Sequence, residues 1–303
     1  MKIIKKYWFK FICFVLILFI LIYVPCFAIK SARDYEIYKE PQLSTRIYSI
    51  YHIETFEGGG KSRANFLNQI ARKLETDHPG NLFIVKTIKA NEIDSYLTSD
   101  KPDLISFGYG VGKAVLPHLV THSETYSIRE NLLYSAIFDN KIYAYPFIAS
   151  GYATFSHGST VHTCYVGDSE YIHPEIIYSK QNSTYQKEES SYEAYKKFIY
   201  DKKSALLGTA RDVFRVDNLN NIGRLSASIT PIDSYTDLIQ YIGSTNNDEL
   251  CKKFISLCLS SEYQLKLVDY SLFSVLEHKI YSSGIYNDME NAIQKCEVAR
   301  VFQ

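Results

Sequence analysis

The sequence carries no excess of charge of either sign, because 33 lysine and arginine residues are matched by 33 aspartate and glutamate residues. A nucleic-acid-binding surface needs a strong positive field, so this balance argues against nucleic acid as a partner. Internal repeats and low-complexity tracts are also missing. The 303 residues are therefore expected to form ordinary domains, and the length suffices for two.

Catalytic and metal-binding motifs are absent as well. No Ser/His/Asp or Cys/His arrangement stands in a recognisable motif context. His118 and His122 are four residues apart, but the sequence does not supply the third ligand that a metal site needs. We expect a protein that is not an enzyme and that uses neither a cofactor nor a metal.

Cysteine is sparse, because only four cysteines occur outside the N-terminal segment. Cys251 and Cys258 are seven apart on a predicted helix, which separates their Cα atoms by about 10 Å, too far for a disulfide. Both are expected to be small buried apolar residues. The sequence leaves open whether Cys164 and Cys296 form a disulfide.

The N-terminus has the pattern of an export signal. Four lysines in the first ten residues precede residues 11–29, which carry no charge. Residues 26–28 offer a cleavage site, yet the apolar run is also long enough to remain as a membrane anchor. The small residues expected before a lipidated cysteine are missing at Cys26. Residues 1–29 are thus a signal peptide or an anchor, residues 30–45 a tether, and the remainder is extracytoplasmic: at the cell surface, membrane-anchored or secreted.

Residues 46–77 predict a strand, a glycine loop (residues 57–60) and a helix in direct succession. The helix should bury one apolar stripe, formed by Phe66, Leu67, Ile70, Ala71 and Leu74. Its other face is expected to be charged, with Arg63, Arg72, Lys73 and Glu75. A glycine loop between a strand and a helix leaves backbone N–H groups uncommitted, so it could receive a polar ligand.

Gly60-Lys61-Ser62 matches the end of a phosphate-binding P-loop. The P-loop pattern requires a glycine five positions before Gly60, where this sequence has Thr55. Nucleotide binding is therefore disfavoured.

Two more predicted strands, residues 82–85 and 104–107, follow with a short helix between them. A β-α-β-α-β succession favours a parallel sheet with ligands at the carboxyl ends of its strands. Both glycine loops, residues 57–60 and 108–110, would lie at that edge.

The second half begins with an extended aromatic run, residues 142–155, that contains Pro146 and Gly151 and suits a segment crossing between two lobes. Residues 156–190 show weak periodicity, and residues 181–191 predict an exposed loop.

Further strands are predicted at residues 205–209 and 238–242. Asn247-Asp248 is expected to cap a helix, Ser261 and Gln264 to form the capping box of a second one, and residues 286–302 to be helical.

Five strings follow the export leader in this order: Glu57-Gly58-Gly59, Pro102-Asp103-Leu104-Ile105-Ser106-Phe107-Gly108, Tyr143-Ala144-Tyr145-Pro146-Phe147 with Gly151-Tyr152, Lys252-Lys253-Phe254-Ile255, and Leu259-Ser260-Ser261-Glu262-Tyr263-Gln264. In this order they resemble those of the extracellular solute-binding proteins of bacterial ABC transporters, nearest to the sugar-binding family. They cover most of residues 46–280.

The resemblance implies an α/β, two-lobed, periplasmic-binding-protein-like fold with a central cleft that closes by hinge motion. Residues 46–145 and 233–280 would form the first lobe, and residues 146–232 and 281–303 a second, reduced lobe. The implied function is an extracytoplasmic receptor that delivers a small molecule, a sugar or oligosaccharide above all, to the permease subunits of an ABC importer. The alternative, motivated by the short second lobe, is a membrane-anchored signalling or structural protein that keeps the fold and binds a protein partner.

The resemblance also implies which loops carry the ligand. The expected ligand-binding residues are Glu57, Gly58, Gly59 and Tyr109 in the first lobe and Tyr152, Arg211, Asp212 and Arg215 in the second. Tyr109 could stack on a sugar ring, with Tyr152 facing it across the cleft, and the arginine forks suit paired hydroxyls, carboxylates or phosphates. Three plainer interpretations remain open: glycines that only make a turn, tyrosines that belong to the core, and an Arg–Asp pair that only fixes its loop.

Overall fold

The computed structural model describes residues 16–21, 23, 46–158, 161, 163–181 and 184–303. Residues 16–21 and 23 are helical, and among the described residues no helix is long and apolar enough to cross a membrane. Most of the predicted leader and all of the predicted tether lie outside the described residues. The elements below belong to the unit Arg46–Gln303.

The elements of this unit alternate between strands and helices in its first part. The strands are β1 (Arg46–Glu54), β2 (Asn81–Lys89), β3 (Leu104–Gly108), β4 (Ile137–Phe138), β5 (Lys141–Ile142), β6 (Tyr145–Ala149), β7 (Tyr152–Ser156), β8 (Thr163–Gly167), β9 (Gln186–Glu188), β10 (Ser204–Thr209), β11 (Ser228–Pro231), β12 (Tyr235–Thr236), β13 (Ile239–Ser244) and β14 (Glu297–Val298). The helices are α1 (Arg63–Asp77), α2 (Ile93–Ser99), α3 (Gly112–Val115), α4 (Glu130–Tyr134), α5 (Glu175–Gln181), α6 (Ser191–Tyr200), α7 (Ala210–Asn221), α8 (Glu249–Cys258), α9 (Ser261–Leu265) and α10 (Gly284–Lys295). Short 3₁₀ turns cover Ala90–Glu92, Leu116–His118 and Lys266–Tyr270.

The first sheet has the strand order β2-β1-β3-β13-β6. β1 is parallel to both β2 and β3, while β13 is antiparallel to β3 and to β6. The predicted β-α-β-α-β succession with parallel strands is therefore confirmed.

Helix α1 packs against this sheet with the apolar stripe that its spacing predicts. All five stripe residues are buried, and the Ser62 side chain caps the helix by accepting a hydrogen bond from the Ala64 N–H. The expected position of Arg63 on the charged face is wrong, because its side chain is only 2 % exposed. Its contacts belong to the site described below.

The second sheet has the order β11-β7-β10-β8-β9. β10 is buried along its whole length and pairs antiparallel with β7 and parallel with β8. Strand β9 lies within residues 181–191, for which the sequence predicted an exposed loop, so that prediction is wrong there. Strand β8 lies in the weakly periodic residues before them. Polar residues such as those of β9 extend there because pairing with β8 satisfies their backbone groups.

The chain passes from one sheet to the other near Gly151. β6 belongs to the first sheet and β7 to the second, so the predicted crossing run does cross, although it is broken into separate strands. Pro146 is tolerated because β6 is an edge strand. The chain returns between β11 and β13. The exact division into two lobes stays a prediction.

The elements after β13 follow the predicted helix order with shifted ends. Of the predicted cap Asn247-Asp248, Asp248 caps α8 by accepting a hydrogen bond from the Leu250 N–H. The cap of α9 is Ser260 rather than Ser261, and Gln264 is buried, donating to the carbonyls of two other residues instead of completing a capping box. The tail is helical only over α10, after which β14 pairs with β12.

The four cysteines outside the leader are free thiols. Cys251 and Cys258 are buried on α8, which confirms their predicted packing role.

Candidate functional site

A cavity of about 610 Å³ lies between the carboxyl end of β1 and the loops and helix starts of the second sheet. We call it the β1–α7 cavity. It is lined by Glu54, Thr55, Phe56, Glu57, Gly58, Lys61, Ser62, Arg63, Asp168, Ser169, Ile172, Ser190, Ser191, Tyr192, Arg211 and Arg215. Most of these residues carry a charge or a hydroxyl group.

One wall follows β1 directly, as expected for the carboxyl end of a parallel strand. Gly108, at the end of β3, packs so closely on Thr55 that a Cβ there would lie 2.1 Å from Thr55 Oγ1. The lack of a side chain thus brings the ends of β1 and β3 together. The glycine loop at residues 108–110 does not itself line the cavity.

The glycine loop at residues 57–60 packs against the backbone of Tyr270. Gly59 has φ of 67°, and a Cβ on it would lie 2.0 Å from the Tyr270 carbonyl oxygen. The Gly60 N–H donates to that same oxygen over 2.6 Å. The expectation of free N–H groups is therefore wrong at Gly60, because this N–H is already used. The loop instead turns carbonyl groups toward the second sheet.

Helix α7 forms the opposite wall and begins immediately after β10. Asp212 closes a capping box with Thr209 and also accepts a hydrogen bond of 3.0 Å from Arg215 Nη1. Burial raises the pKa of Asp212 to about 6. Asp212 thus stabilises the helix start and does not line the β1–α7 cavity, which corrects its expected place on the cleft wall.

Two arginines of α7 reach the glycine loop. Arg211 Nη1 donates to the carbonyl oxygens of Gly59 and Gly60 over 3.0 and 3.1 Å. Arg215 Nη2 lies 3.3 Å from Glu57 Oε2. The loops on which the sequence placed the ligand residues of each lobe therefore meet through direct bonds.

Arg63, the first residue of α1, turns back over the loop before it instead of following the helix face. Its guanidinium lies 4.1 Å from the ring centre of Phe56 and donates to the Phe56 carbonyl over 2.6 Å. Its Nε is 3.7 Å from Glu54 Oε1. Burial lowers the pKa of Arg63 to about 10, so it stays charged at neutral pH.

Glu54 is fixed from the core side by a buried polar chain. Gln240 Nε2 donates to Ser106 Oγ, which lies 3.0 Å from His52 Nδ1, and His52 Nε2 lies 3.3 Å from Glu54 Oε1. A neutral His52 with its proton on Nε2 satisfies this chain, and burial lowers the pKa of His52 accordingly. The hydrogen bond from His52 lowers the pKa of Glu54, which therefore presents a carboxylate to the cavity.

The two predicted tyrosines lie elsewhere. Tyr152 is 1 % exposed and donates a 2.7 Å hydrogen bond to Asp237, so the expectation that it faces Tyr109 from a cleft wall is wrong. Tyr109 is half-buried, with its ring edge-on to His173 at 5.9 Å. Neither lines the β1–α7 cavity.

Sequence reasoning missed several cavity residues. Glu54 and Arg63 stand at a strand end and a helix start, positions that could have singled them out. Asp168 follows β8 and Ser190 caps α6, and both lie in residues 156–190, which gave no clear periodicity. Ser191 and Tyr192 begin α6. Among the described residues, no group of three or more His, Cys, Asp and Glu side chains is arranged to hold a metal ion.

No protein-family model matches the sequence, and no match to a curated protein is found. Solved structures share the fold over most of the chain. The GacH receptor of Streptomyces glaucescens, solved unliganded and with acarbose, is 10% identical, with a TM-score of 0.60 over 84% of this chain and 87% of that one. An extracellular solute-binding protein from Staphylococcus aureus in complex with maltose is 10% identical, with a TM-score of 0.57 over 84% and 87%.

A third similar structure is described as a two-component system protein that mediates signal transduction. It is 14% identical, with a TM-score of 0.54 over 80% of this chain and 93% of that one. At such identities these likenesses show the fold alone: the chain has the α/β fold of periplasmic solute-binding proteins.

Proposed function

We propose that this chain is an extracytoplasmic solute-binding receptor that hands a small molecule, of carbohydrate type, to an ABC importer. One observation carries the proposal: the β1–α7 cavity is lined from both sheets by charged groups that other protein groups hold in place. Preorganised polar groups in a concave site are what a binding protein needs, because ordering them costs nothing when the ligand arrives.

The lining suits sugar hydroxyls. Glu54, Glu57 and Asp168 offer carboxylate acceptors, and Arg211 offers a planar donor group. Phe56 and Tyr192 add aromatic surface to the same cavity. The cavity volume falls within the range of roughly 300–1,000 Å³ that is usual for small-molecule sites.

The rest of the proposal follows from what a receptor of this kind does. It binds and releases its ligand without breaking a bond, so it is not an enzyme. Its partners are the permease subunits, and the N-terminal segment exports the chain or holds it at the membrane. Whether that segment is cleaved is a question for the purified protein, whose mass and N-terminal residue answer it.

The alternative is a signalling or structural protein that presents the same fold to a protein partner. Arg211 and Arg215 favour it, because they already join the two walls of the cavity by direct protein bonds. A cavity held in this way could serve as a fixed surface. The likeness to a signal-transduction protein is compatible with this alternative.

Thermal unfolding of the purified full chain with sugars, oligosaccharides, peptides and small anions tests the proposal. A binding receptor should melt at a higher temperature with one ligand class, since ligand at 100 times its Kd adds about 2.7 kcal/mol to the unfolding free energy. Arg211→Ala should abolish that shift while the protein stays folded, and exposed Arg224→Ala is the matched control.

Each of the other outcomes has a clear meaning. An unchanged shift in Arg211→Ala would remove Arg211 from the site but not refute the function. Absence of a shift with every class, together with a recovered protein partner, would favour the alternative.

A further inference from the structure

The carboxylates around the β1–α7 cavity are each matched by a cation. Glu57 faces Arg215, which also pairs with Asp212 on the same helix. Asp168 is 2.6 Å from Lys187, a residue outside the cavity lining. Glu54 accepts from His52 and lies beside Arg63, so each carboxylate of the lining already has a partner.

The cations of the cavity are not matched in the same way. Lys61 is exposed at the cavity and forms no ion pair among the described residues; it lies only near the Tyr270 ring, at 5.7 Å. Arg211 also lacks a carboxylate partner in that part of the chain, and its two bonds across the cavity go to neutral carbonyl oxygens through one nitrogen. Two full positive charges therefore border the same loop without a counter-charge.

Arg63 is paired with Glu54 but adds an unsatisfied donor to these two cations. Its side chain is almost wholly buried, yet its Nη1 has no hydrogen-bond partner among the described residues. That nitrogen lies beside Gly58, since a Cβ built on Gly58 would be 3.6 Å from it. A buried charged donor without a partner is costly, and its place in the cavity wall means that a bound acceptor could supply one after a small movement of the loop.

The backbone adds a positive potential at the same place. Lys61 and Arg63 flank the start of α1, a helix of 15 residues with no acidic side chain in its first turn. The amino end of a helix carries a partial positive charge and normally attracts acidic residues. Here cationic side chains occupy these positions, so their positive potential adds to that of the helix end.

We propose that the ligand of this cavity carries an anionic group, a carboxylate or a sulfate on a saccharide, held between residues 58–63 and Arg211. The inference rests on the proposed receptor function and specifies its ligand class. The anionic group would take its bonds from the Lys61 ammonium and the Arg63 and Arg211 guanidinium groups. The neutral part of the sugar would contact the remaining polar lining.

Calorimetric titration of the full chain with matched sugar pairs tests this. The first pair is trigalacturonate and its fully methyl-esterified form, which share rings and linkages and differ in charge. The second is a sulfated disaccharide and its desulfated counterpart, so that the two pairs separate carboxylate from sulfate. Maltotriose is the neutral sugar that tests the receptor function alone.

We expect binding of the charged member of at least one pair and affinity at least tenfold lower for its neutral counterpart, with a strong dependence on salt. Lys61→Gln should weaken binding of the charged sugar by about tenfold, the size of about 1.4 kcal/mol. Lys73→Gln on helix α1, which follows Lys61, is the control, because Lys73 is exposed, pairs with Asp77 and lies outside the cavity. Lys61 is exposed, so its substitution leaves the fold intact.

The outcomes separate the two proposals. Equal affinity for charged and neutral members, or binding of maltotriose alone, would keep the receptor function and overturn the anionic ligand. Binding of none of these sugars would overturn the anionic saccharide, and the receptor function would fall with it if thermal unfolding also shows no shift with any ligand class. An equal loss of affinity in Lys61→Gln and Lys73→Gln would reduce the effect to overall charge and also refute the site.

Discussion

At the level of single residues, Tyr152 separates a packing role from a binding role. Its hydroxyl group donates to the buried Asp237, which also accepts the His173 N–H over 2.6 Å. Burial raises the pKa of Asp237, and these donors oppose that effect. The residues around a tyrosine in the sequence do not distinguish a core position from a cleft position. Only the contacts of its hydroxyl group in the folded chain decide between the two.

Tyr152→Phe should therefore reduce stability and leave ligand affinity unchanged. Loss of a hydrogen bond to a buried carboxylate costs about 1–3 kcal/mol. Urea unfolding measures this cost, with Tyr200→Phe as the control, since Tyr200 is 79 % exposed. A variant with normal stability and weakened ligand binding would restore Tyr152 to the ligand site.

His52 predicts a pH dependence of stability. Burial lowers its pKa below the ordinary histidine value of 6.5, so the unfolded chain takes up a proton at that pH more readily than the folded chain does. The stabilisation from the neutral ring is complete above pH 6.5 and is lost as pH falls from there toward the folded pKa. His122, whose pKa is also lowered by burial, contributes in the same direction.

The test compares melting temperatures between pH 7.5 and 5.5. The raised pKa of Asp212 acts in the opposite direction over this range, so the prediction is a difference. On going from pH 7.5 to 5.5, the melting temperature of His52→Gln should rise relative to that of the wild-type chain. His118→Gln should behave as the wild type does. Equal pH slopes in all three proteins would mean that His52 is not kept neutral in the fold.

At the level of elements, the glycine loop at residues 57–60, which joins β1 to α1, shows why these two elements can approach α7 so closely. Gly59 needs both its left-handed backbone and its missing side chain, whereas Gly223 has a similar φ of 69° with nothing within 4 Å of a Cβ. Comparing substitutions at the two glycines thus separates the cost of backbone strain from the cost of a steric clash.

Gly223→Ala should cost about 1 kcal/mol, the strain of an L-residue in the left-handed region. Gly59→Ala should cost at least about 3 kcal/mol, because the loop must also move away from the Tyr270 carbonyl. Chemical denaturation of both variants measures the difference. Similar losses would mean that the loop accommodates a side chain without rearrangement.

At the level of the whole molecule, the C-terminal tail touches strands of both sheets. Helix α10 packs against β11, and the ring of Phe302 lies 5.9 Å from that of Phe107 in β3. Glu290 on α10 is completely buried, accepts from Arg129 over 2.9 Å and also accepts backbone N–H groups of residues 280 and 281. The tail is therefore part of the packing that joins the sheets.

Glu290→Gln should destabilise the whole chain by about 3–5 kcal/mol, because it leaves the buried Arg129 without its counter-charge. Asp288→Asn is the control, being the same kind of change at an exposed position of the same helix. Calorimetric unfolding should show one lower transition for Glu290→Gln. A loss confined to a small separate transition would mean that the tail unfolds independently of the sheets.

Periodicity predicted the elements that carry their own signal. The apolar stripe of α1, the parallel strands β1 to β3 and the cap at Asp248 are visible in sequence because each depends on neighbours within a few residues. Strands β8 and β9 are not visible in the sequence, because pairing with neighbouring strands, and not their own residue pattern, keeps them extended. The same limit explains Gln264, whose partners lie far away in the chain.

The sequence by itself determined the order of strands, glycine loops and helices, and with it the edge of the sheet where the β1–α7 cavity lies. It also placed Glu57, Gly58, Arg211 and Arg215, since loops at the carboxyl ends of strands follow from the β-α-β pattern. Only the tertiary structure decided that Arg63 is buried, that Asp212 caps a helix and that Tyr152 belongs to the core. Burial and hydrogen bonding depend on groups brought together by folding, and no local pattern encodes them.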